Sequence, residues 1–387
     1  EKAMRLLILS CNTGEGHNST AKAIIQAAES DGAVCEMKDA LSYWPAGTNS
    51  FICGGHVFLY RNAPELFGAG YRFFEVMSEK TNEKNQLREQ KGKEPARNAL
   101  LGLAKLPAEK LYADISAGDY DAVICVHVFA SLMMTEIRRK YGDSLPTYFV
   151  ATDYTCSPGV NISDFNACFI PAEGLIPEFS GLGVKPEKLI PTGIPIRADF
   201  YTKLPVDEAK EKLGLPKDRR IVLFMCGSMG VGPMKETVGL LLESMPSDAA
   251  IAVICGRNEK LKAQMEKVGN NGNLFVIGYT KEVCTYMDAA SLIITKAGGL
   301  SSTEAATKHL PMVFIDAIPG LEVHNRDFFC DNGCAVSGET AEEISSVVCA
   351  LLNNDSKLNE MRNRLAGYFT HRAADEIYGY IKAECRG

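Results

Sequence analysis

Two groups of residues in this chain have the types and spacing to do chemistry. The first is the turn "SCNTGEGHNS", which follows an apolar run and sets His17 at the mouth of a helix. A helix N-terminus presents unpaired N–H groups and a positive field. That field disfavours an imidazolium, so a histidine held there stays neutral near pH 7, the form a general base requires. Asp153, in "FVATDYTCSP", follows another strand pattern at the same expected sheet edge and could orient His17 or take the proton itself. The second group is "SLIITKAGGLSSTEAATKHLP". Here a strand, Gly298-Gly299, Ser301, Ser302 and a helix form a cradle in which N–H groups and hydroxyls can meet a diphosphate. Glu304 in the first turn suits a ribose, because one carboxylate accepts from both hydroxyls. Beyond the next strand run, Glu322 and Asn325 in "IPGLEVHN" could reach a sugar.

Other motifs carry less. "GEGHNS" departs from GxGxxG because Ser19 holds the third position, and no GxxxxGK[ST] is present, which excludes a Walker A loop. Asp39, near the end of the second strand run, could serve the ribose of NAD or open a helix. Asp119-Tyr120-Asp121 has the DxD spacing with which many sugar transferases hold a metal. It precedes the strand "AVICV", so it falls at the amino edge of the sheet, where ligands are not bound, and reads as a solvated loop.

These groups need a scaffold, and short apolar runs alternate with helical patterns along both halves in the rhythm of parallel βαβ units. The first half offers strands at 5–9, 33–37, 122–126, 147–151 and 167–170. The second offers 221–225, 250–255, 274–277, 292–295, 312–315 and 335–336. The expected class is therefore α/β, with two doubly wound sheets. In each half a strand runs into a glycine-rich turn and then a helix: "LLILSCNTGEGH" and later "IVLFMCGSMGVGP". Between the halves, "GIPIRADFYTKLP" contains prolines that interrupt helix and mark a hinge, which places a domain boundary near residue 200. In open α/β sheets ligands bind beyond the carboxyl ends of the strands, so two such edges facing each other would enclose a cleft.

Totals fit that picture. A chain of 387 residues is too long for one ordinary core. With 46% hydrophobic and 23% charged residues, its balance is that of a globular protein. A net charge of -7 argues against a nucleic-acid partner, which requires clustered excess Lys and Arg. Thirteen cysteines without a CxxC pair read as reduced structural thiols rather than zinc ligands, which points to the cytoplasm. The amino terminus has no signal-peptide zones, and no apolar run reaches the roughly 18 residues of a membrane span. Residues 51–74 hold seven of the 32 aromatics, and residues 72–110 hold nine Lys or Arg against six Asp or Glu. That pairing suits a peripheral contact with anionic lipid, or else ordinary core helices with solvated faces.

The motifs "TGEGH", "ATDY", "GIPIR", "ICGRNEKL", "GYTKEV", "ITKAGGLSSTEA" and "IPGLEVHN", in this order, resemble the monogalactosyldiacylglycerol synthase and processive diacylglycerol glucosyltransferase family, a relative of the peptidoglycan transferase that glycosylates lipid I. The resemblance covers nearly the whole chain and is loosest over residues 40–110. It implies a GT-B fold: a lipid-binding domain over residues 1–199, a UDP-sugar domain over 200–369, and a terminal helix at 370–387 crossing back to the first. It makes His17 the base and Asp153 its acidic partner. Arg197 and Ser228 become diphosphate ligands, and Gly278 and Tyr279 readers of uracil. Gly298 and Gly299 lie under the phosphates, with Glu304 on the ribose and Glu322 on the sugar. The same motifs bring Gly16, Gly227, Met229, Arg257, Lys296, Ala297, Ser301, Ser302, Gly320, Leu321 and Asn325 into the donor site. Leu321 stands where the family often has Gln, and Val128 where relatives often have Pro after a histidine. The implied activity is metal-free, inverting transfer of a hexose from UDP-glucose or UDP-galactose to diacylglycerol, by a cytoplasmic protein at the inner face of the cell membrane. A polyprenol-lipid or soluble acceptor and a non-catalytic UDP-sugar sensor are the rival expectations.

Overall fold

Both glycine-rich stretches of the sequence follow a buried parallel strand, and that repeated arrangement organises each half of the molecule. A computed structural model describes residues 2–12, 15–44, 76, 80, 99–226, 233–268, 272–315 and 320–386. The chain divides into two units, Glu1–Arg197 with Pro319–Leu321 and His371–Gly387, and Ala198–Ile318 with Glu322–Thr370.

In the first unit, β1 (Arg5–Ser10) leads to α1 (Glu15–Ser30) and β2 (Val34–Asp39). After α2 (Ala99–Ala117) come β3 (Ala122–Cys125), α3 (Val128–Tyr141), β4 (Thr147–Val150), β5 (Ala167–Ile170), α4 (Ile176–Gly181) and β6 (Leu189–Pro191). The strands form one parallel sheet in the order β2-β1-β3-β4-β5-β6. Strands β3 to β5 read as unbroken apolar or small runs because helices cover both faces of such a sheet. Helix α1 buries Ala21, Ile24 and Ala28, spaced three and four apart on one face, and carries Glu15 in its first turn, where the helix dipole favours an acid.

In the second unit, α5 (Val206–Leu213) precedes β7 (Arg220–Met225), α6 (Met234–Ser244), β8 (Ala249–Ile254), α7 (Glu259–Glu266) and β9 (Leu274–Ile277). Then follow α8 (Val283–Ala289), β10 (Ala290–Thr295), α9 (Gly299–Thr307), β11 (Met312–Ile315), α10 (Leu321–Asp331), β12 (Ala335–Gly338), α11 (Ala341–Leu352) and α12 (Asp355–Tyr368). This sheet is also parallel, in the order β12-β11-β10-β7-β8-β9. Its core packs Val222, Phe224, Ile251, Val253 and Ile294 against Val238, Ile344 and Met361.

Helix α13 (Ala373–Arg386) belongs to the first unit. It buries Ile377, Tyr378 and Ile381 in the core formed by Leu6, Ile8, Ile24 and Ile124. Tyr378 Oη and Lys382 Nζ both donate to Asp31 Oδ2 just past α1, at 2.8 and 2.5 Å.

Eleven strand runs expected from the sequence form strands, three of them with the expected ends and the others shifted by one or two residues. The exception is β6, three residues ending in Pro191 and too short to show a period. The hinge segment is also tighter than its prolines suggest. Lys308 Nζ donates to the Thr202 carbonyl and, at 2.9 Å, to Asp288 Oδ2, which accepts from Leu204 N at 3.3 Å. Lys308 and Asp288 are almost wholly buried, so a desolvated ion pair fastens residues 202–204 into the second unit. At the end of α9, His309 takes a left-handed conformation, φ 55°, where glycine is usual. His309 N donates to the Ala306 carbonyl and Leu310 N to the Ala305 carbonyl, closing the helix.

Candidate active site and donor-binding edge

In each sheet the chain order reverses at one place, between β1 and β3 in the first unit and between β7 and β10 in the second. Loops leaving the carboxyl ends of those strands diverge there, which opens a crevice in this class of sheet. His17 and His127 lie at the first switch point, after β1 and β3; Lys296, Ala297 and Gly298 lie at the second, after β10.

Around His17 the geometry is specific. Its Nδ1 lies 2.9 Å from the Val126 carbonyl. A carbonyl only accepts, so Nδ1 carries the proton and Nε2 is left as the basic nitrogen. Thr152 Oγ1 stands 3.3 Å from the same Nδ1 and 3.4 Å from Asp153 Oδ2, a hydroxyl between imidazole and carboxylate. Burial lowers the His17 pKa from its usual value, and this outweighs the opposing effects of the Asp153 charge and the Val126 carbonyl. The ring is therefore held neutral, and Asp153 is near enough to favour an imidazolium if one forms. Gly16 sits beside it in the first turn of α1.

The loop below is braced by a polar chain. Ser10 Oγ donates to Asn18 Oδ1, Asn18 Nδ2 to Asn12 Oδ1, and Asn12 Nδ2 to Asp39 Oδ2, each at 2.7 Å. Asp39 also accepts from Leu41 N, capping the turn after β2. Of the two readings open for Asp39, ribose ligand and helix opener, the structure shows the second. Asp121 Oδ2 accepts from Arg5 N, and Asp119 pairs with Lys2, so the DxD residues occupy the amino edge of β3. Among the described residues, no group of three or more His, Cys, Asp or Glu could hold a metal ion. The twelve described cysteines are all free thiols.

In the second unit, Gly298 caps α9 with an extended backbone, φ -77° and ψ 139°. A Cβ added there would meet no described atom within 4 Å, so packing does not demand glycine and its place is one of open approach. Ser301 is partly exposed, whereas Ser302 is fully buried and its Oγ has no partner among the described residues. Glu304 lies partly exposed one turn into α9. Lys296 and Glu322 approach the end of β7 closely enough to act in opposite senses on the Cys226 thiol, which burial pushes far up. Gly320, φ 116°, turns the chain into α10, which Leu321 opens.

Past β8 and β9, the Arg257 guanidinium carbon lies 4.9 Å from the centroid of the Tyr279 ring. That ring is 59% exposed, a flat aromatic surface beside Gly278. Arg197 is partly exposed at the end of the first unit.

Two expectations change. Asn325, expected to reach a sugar, is fully buried, and its Nδ2 donates to the Ala297 carbonyl at 2.9 Å. It holds the loop before Gly298 and offers no surface to a ligand. Ala297 is likewise fully buried, its carbonyl held by Asn325, so it too offers no surface to a ligand. Gly227, Ser228 and Met229 lie outside the described residues, as do residues 51–74 and nearly all of 75–98. The Val126 carbonyl and Thr152 were not anticipated; a backbone acceptor has no sequence signature, although Thr152 adjoins Asp153.

Comparison with known proteins agrees with this architecture. Acinetobacter baumannii MurG superposes with a TM-score of 0.62 at 15% identity, covering 99% of this chain and 100% of its own. Spinosyn rhamnosyltransferase SpnG superposes with a TM-score of 0.65 at 10% identity, covering 98% and 100%. The fold is GT-B, two parallel α/β units as in these glycosyltransferases. Residues 17–196 match the family described as monogalactosyldiacylglycerol (MGDG) synthase, and residues 205–368 match glycosyl transferases group 1. A processive diacylglycerol beta-glucosyltransferase of Bacillus licheniformis is 27% identical over 377 residues, covering 96% of this chain and 93% of its own. Over nearly its whole length the chain is similar to the monogalactosyldiacylglycerol synthase and processive diacylglycerol glucosyltransferase family.

Proposed function

We propose that this protein is an inverting hexosyltransferase that moves a sugar from a UDP-sugar to the hydroxyl of diacylglycerol. The observation that carries the reading is the His17 imidazole, fixed by the Val126 carbonyl with its basic Nε2 unprotonated at the switch point of the first sheet. The acceptor oxygen attacks the anomeric carbon from the side opposite UDP and gives its proton to His17 Nε2. The bond from that carbon to the diphosphate oxygen breaks, and its electron pair leaves on UDP. Asp153 stabilises the imidazolium that results.

Negative charge growing on the diphosphate is met by the N–H groups at Gly298 and Gly299, with Lys296 and Arg197 as cations and Ser228 and Ser301 as hydroxyl donors, while Ser302, fully buried, stays beneath them. These groups take the place of a divalent ion, so the reaction needs no metal. Tyr279, stacked with Arg257, supports the uracil beside Gly278; Glu304 takes the ribose and Glu322 the sugar. Gly16, Gly227, Met229, Gly320 and Leu321 line the donor, while Ala297 and Asn325 set the loop under it. The lipid acceptor calls for peripheral attachment to the cytoplasmic face of a membrane. Among the described residues no helix is long and apolar enough to cross one.

The test is purified protein incubated with UDP-glucose or UDP-galactose, diacylglycerol vesicles and a chelator, with lipids read by mass spectrometry. A hexosyl-diacylglycerol product in chelator supports the reading. No product from any UDP-sugar, with or without added divalent metal, overturns it.

A further inference from the structure

His127 adjoins the base and has no part in the steps above. It is the N-cap of α3, with extended backbone (φ -147°, ψ 146°), and its Nδ1 accepts from Phe129 N at 3.1 Å. A ring nitrogen that accepts cannot carry the proton, so His127 is the Nε2–H tautomer. His17 is the reverse, with its proton on Nδ1 toward the Val126 carbonyl. The two rings meet edge to face, with centroids 4.8 Å apart and planes at 81°. Two adjacent imidazoles thus carry opposite tautomers, each fixed by a backbone group.

The two contacts on His17 also share one origin. The carbonyl that receives its Nδ1–H and the amide of His127 form a single peptide unit. The cap bond that pins the His127 side chain to α3 therefore fixes the direction of that carbonyl as well. We infer that His127 is a positioning residue that holds the Val126 carbonyl and an imidazole ring against His17, and so decides which nitrogen of His17 takes the proton.

His127 suits the task because its Nδ1 is committed to the cap bond of α3. Charging it would cost the cap bond and place a cation at the positive end of α3. The groups facing His17 from the surrounding elements are Asp153 and the Thr152 hydroxyl beyond β4, and the His127 ring beyond β3. Asp153 favours a charged His17, and the neutral ring displaces water from it. Removing the ring while keeping the cap therefore admits water and eases protonation of His17.

The inference rests on His17 being the base only for its kinetic consequence; its structural content is tested separately. The chain has six histidines. Nitrogen-15 NMR of histidine-labelled full-length protein reports tautomer and titration at each, with His17→Gln and His127→Asn assigning the two signals. The expected result is Nδ1–H at His17 and Nε2–H at His127. In His127→Ala, which lacks cap and ring, His17 becomes a mixture of tautomers, and kcat falls about tenfold while UDP affinity is unchanged. In His127→Asn, whose amide oxygen can still cap α3, His17 keeps its tautomer but titrates at higher pH. An Nε2–H tautomer at His17 in the intact protein overturns the inference. So does a His17 signal whose titration is the same in His127→Asn as in the parent, and this variant serves if the alanine form does not fold. Correct tautomers in a protein that transfers no sugar would sink the proposed reaction and leave the positioning role standing.

Discussion

Replacing Asn325 by alanine separates holding the donor loop from touching the donor. The Asn325 amide lies wholly out of solvent and donates to the Ala297 carbonyl at 2.9 Å. Alanine leaves that carbonyl without this donor where water does not reach, a loss of about 1–3 kcal/mol. For a unit of this size each kcal/mol moves Tm by about 2–4 °C, so the variant is expected to melt about 2–12 °C lower. The same bond steadies Lys296–Gly298; in the proposed function this loop lies under the diphosphate, so UDP affinity falls with it, about tenfold for each 1.4 kcal/mol passed on to binding. Scanning fluorimetry gives the first quantity, and titration calorimetry with UDP and UDP-glucose gives the second. Because the lost contact lies beneath the loop, both ligands weaken by the same factor. Unchanged melting and intact UDP affinity, with UDP-glucose alone weakened, would place Asn325 on the sugar and refute the positional assignment.

Lys308→Ala strands Asp288 as a buried, unpaired carboxylate and is expected to cost about 3–5 kcal/mol in denaturant unfolding, whereas Lys308→Met with Asp288→Leu recovers most of it. His309→Gly relieves the left-handed backbone at φ 55° and is expected to raise stability by about 0.5–1 kcal/mol, read as a higher urea midpoint. Tyr279→Ala is expected to weaken UDP binding by about 1–3 kcal/mol, with Tyr279→Phe close to the parent, if the exposed ring stacks on uracil. The pH dependence of stability follows from His17. Its folded pKa is depressed, so as pH falls through about 6.5 the unfolded chain takes up a proton that the folded chain resists, and stability drops. In His17→Gln that part of the drop disappears, as melting curves from roughly pH 8 to 5 will show.

Much of this was legible because it depends on local pattern. Strands such as "AVICV" betray burial on both faces, and "GEGH" and "KAGGLSS" mark the turns where strands feed helices. Sequence placed His17 in a first helical turn and at a sheet edge, since both follow from neighbouring residues. What holds its ring could not be read, because the Val126 carbonyl is backbone brought from 109 positions away. Asn325 misled for a related reason: a polar residue in a helix near a sugar-binding motif looks like a ligand until its partner, another backbone carbonyl, is visible. Asp39 was open between two roles until Asn12 and Leu41 were seen to occupy it. Strand β6 lacks the length to show a period, and only pairing with β5 reveals it.

The central claim is that a neutral His17 takes the acceptor proton. The direct measurement is the rate of hexose transfer to diacylglycerol vesicles by His17→Gln, with UDP affinity measured alongside. The account predicts a loss of about 10²–10⁴ in kcat with UDP binding unchanged, and a parent enzyme whose activity persists below the usual histidine pKa of about 6.5. Transfer by the glutamine variant within a few-fold of the parent would contradict it.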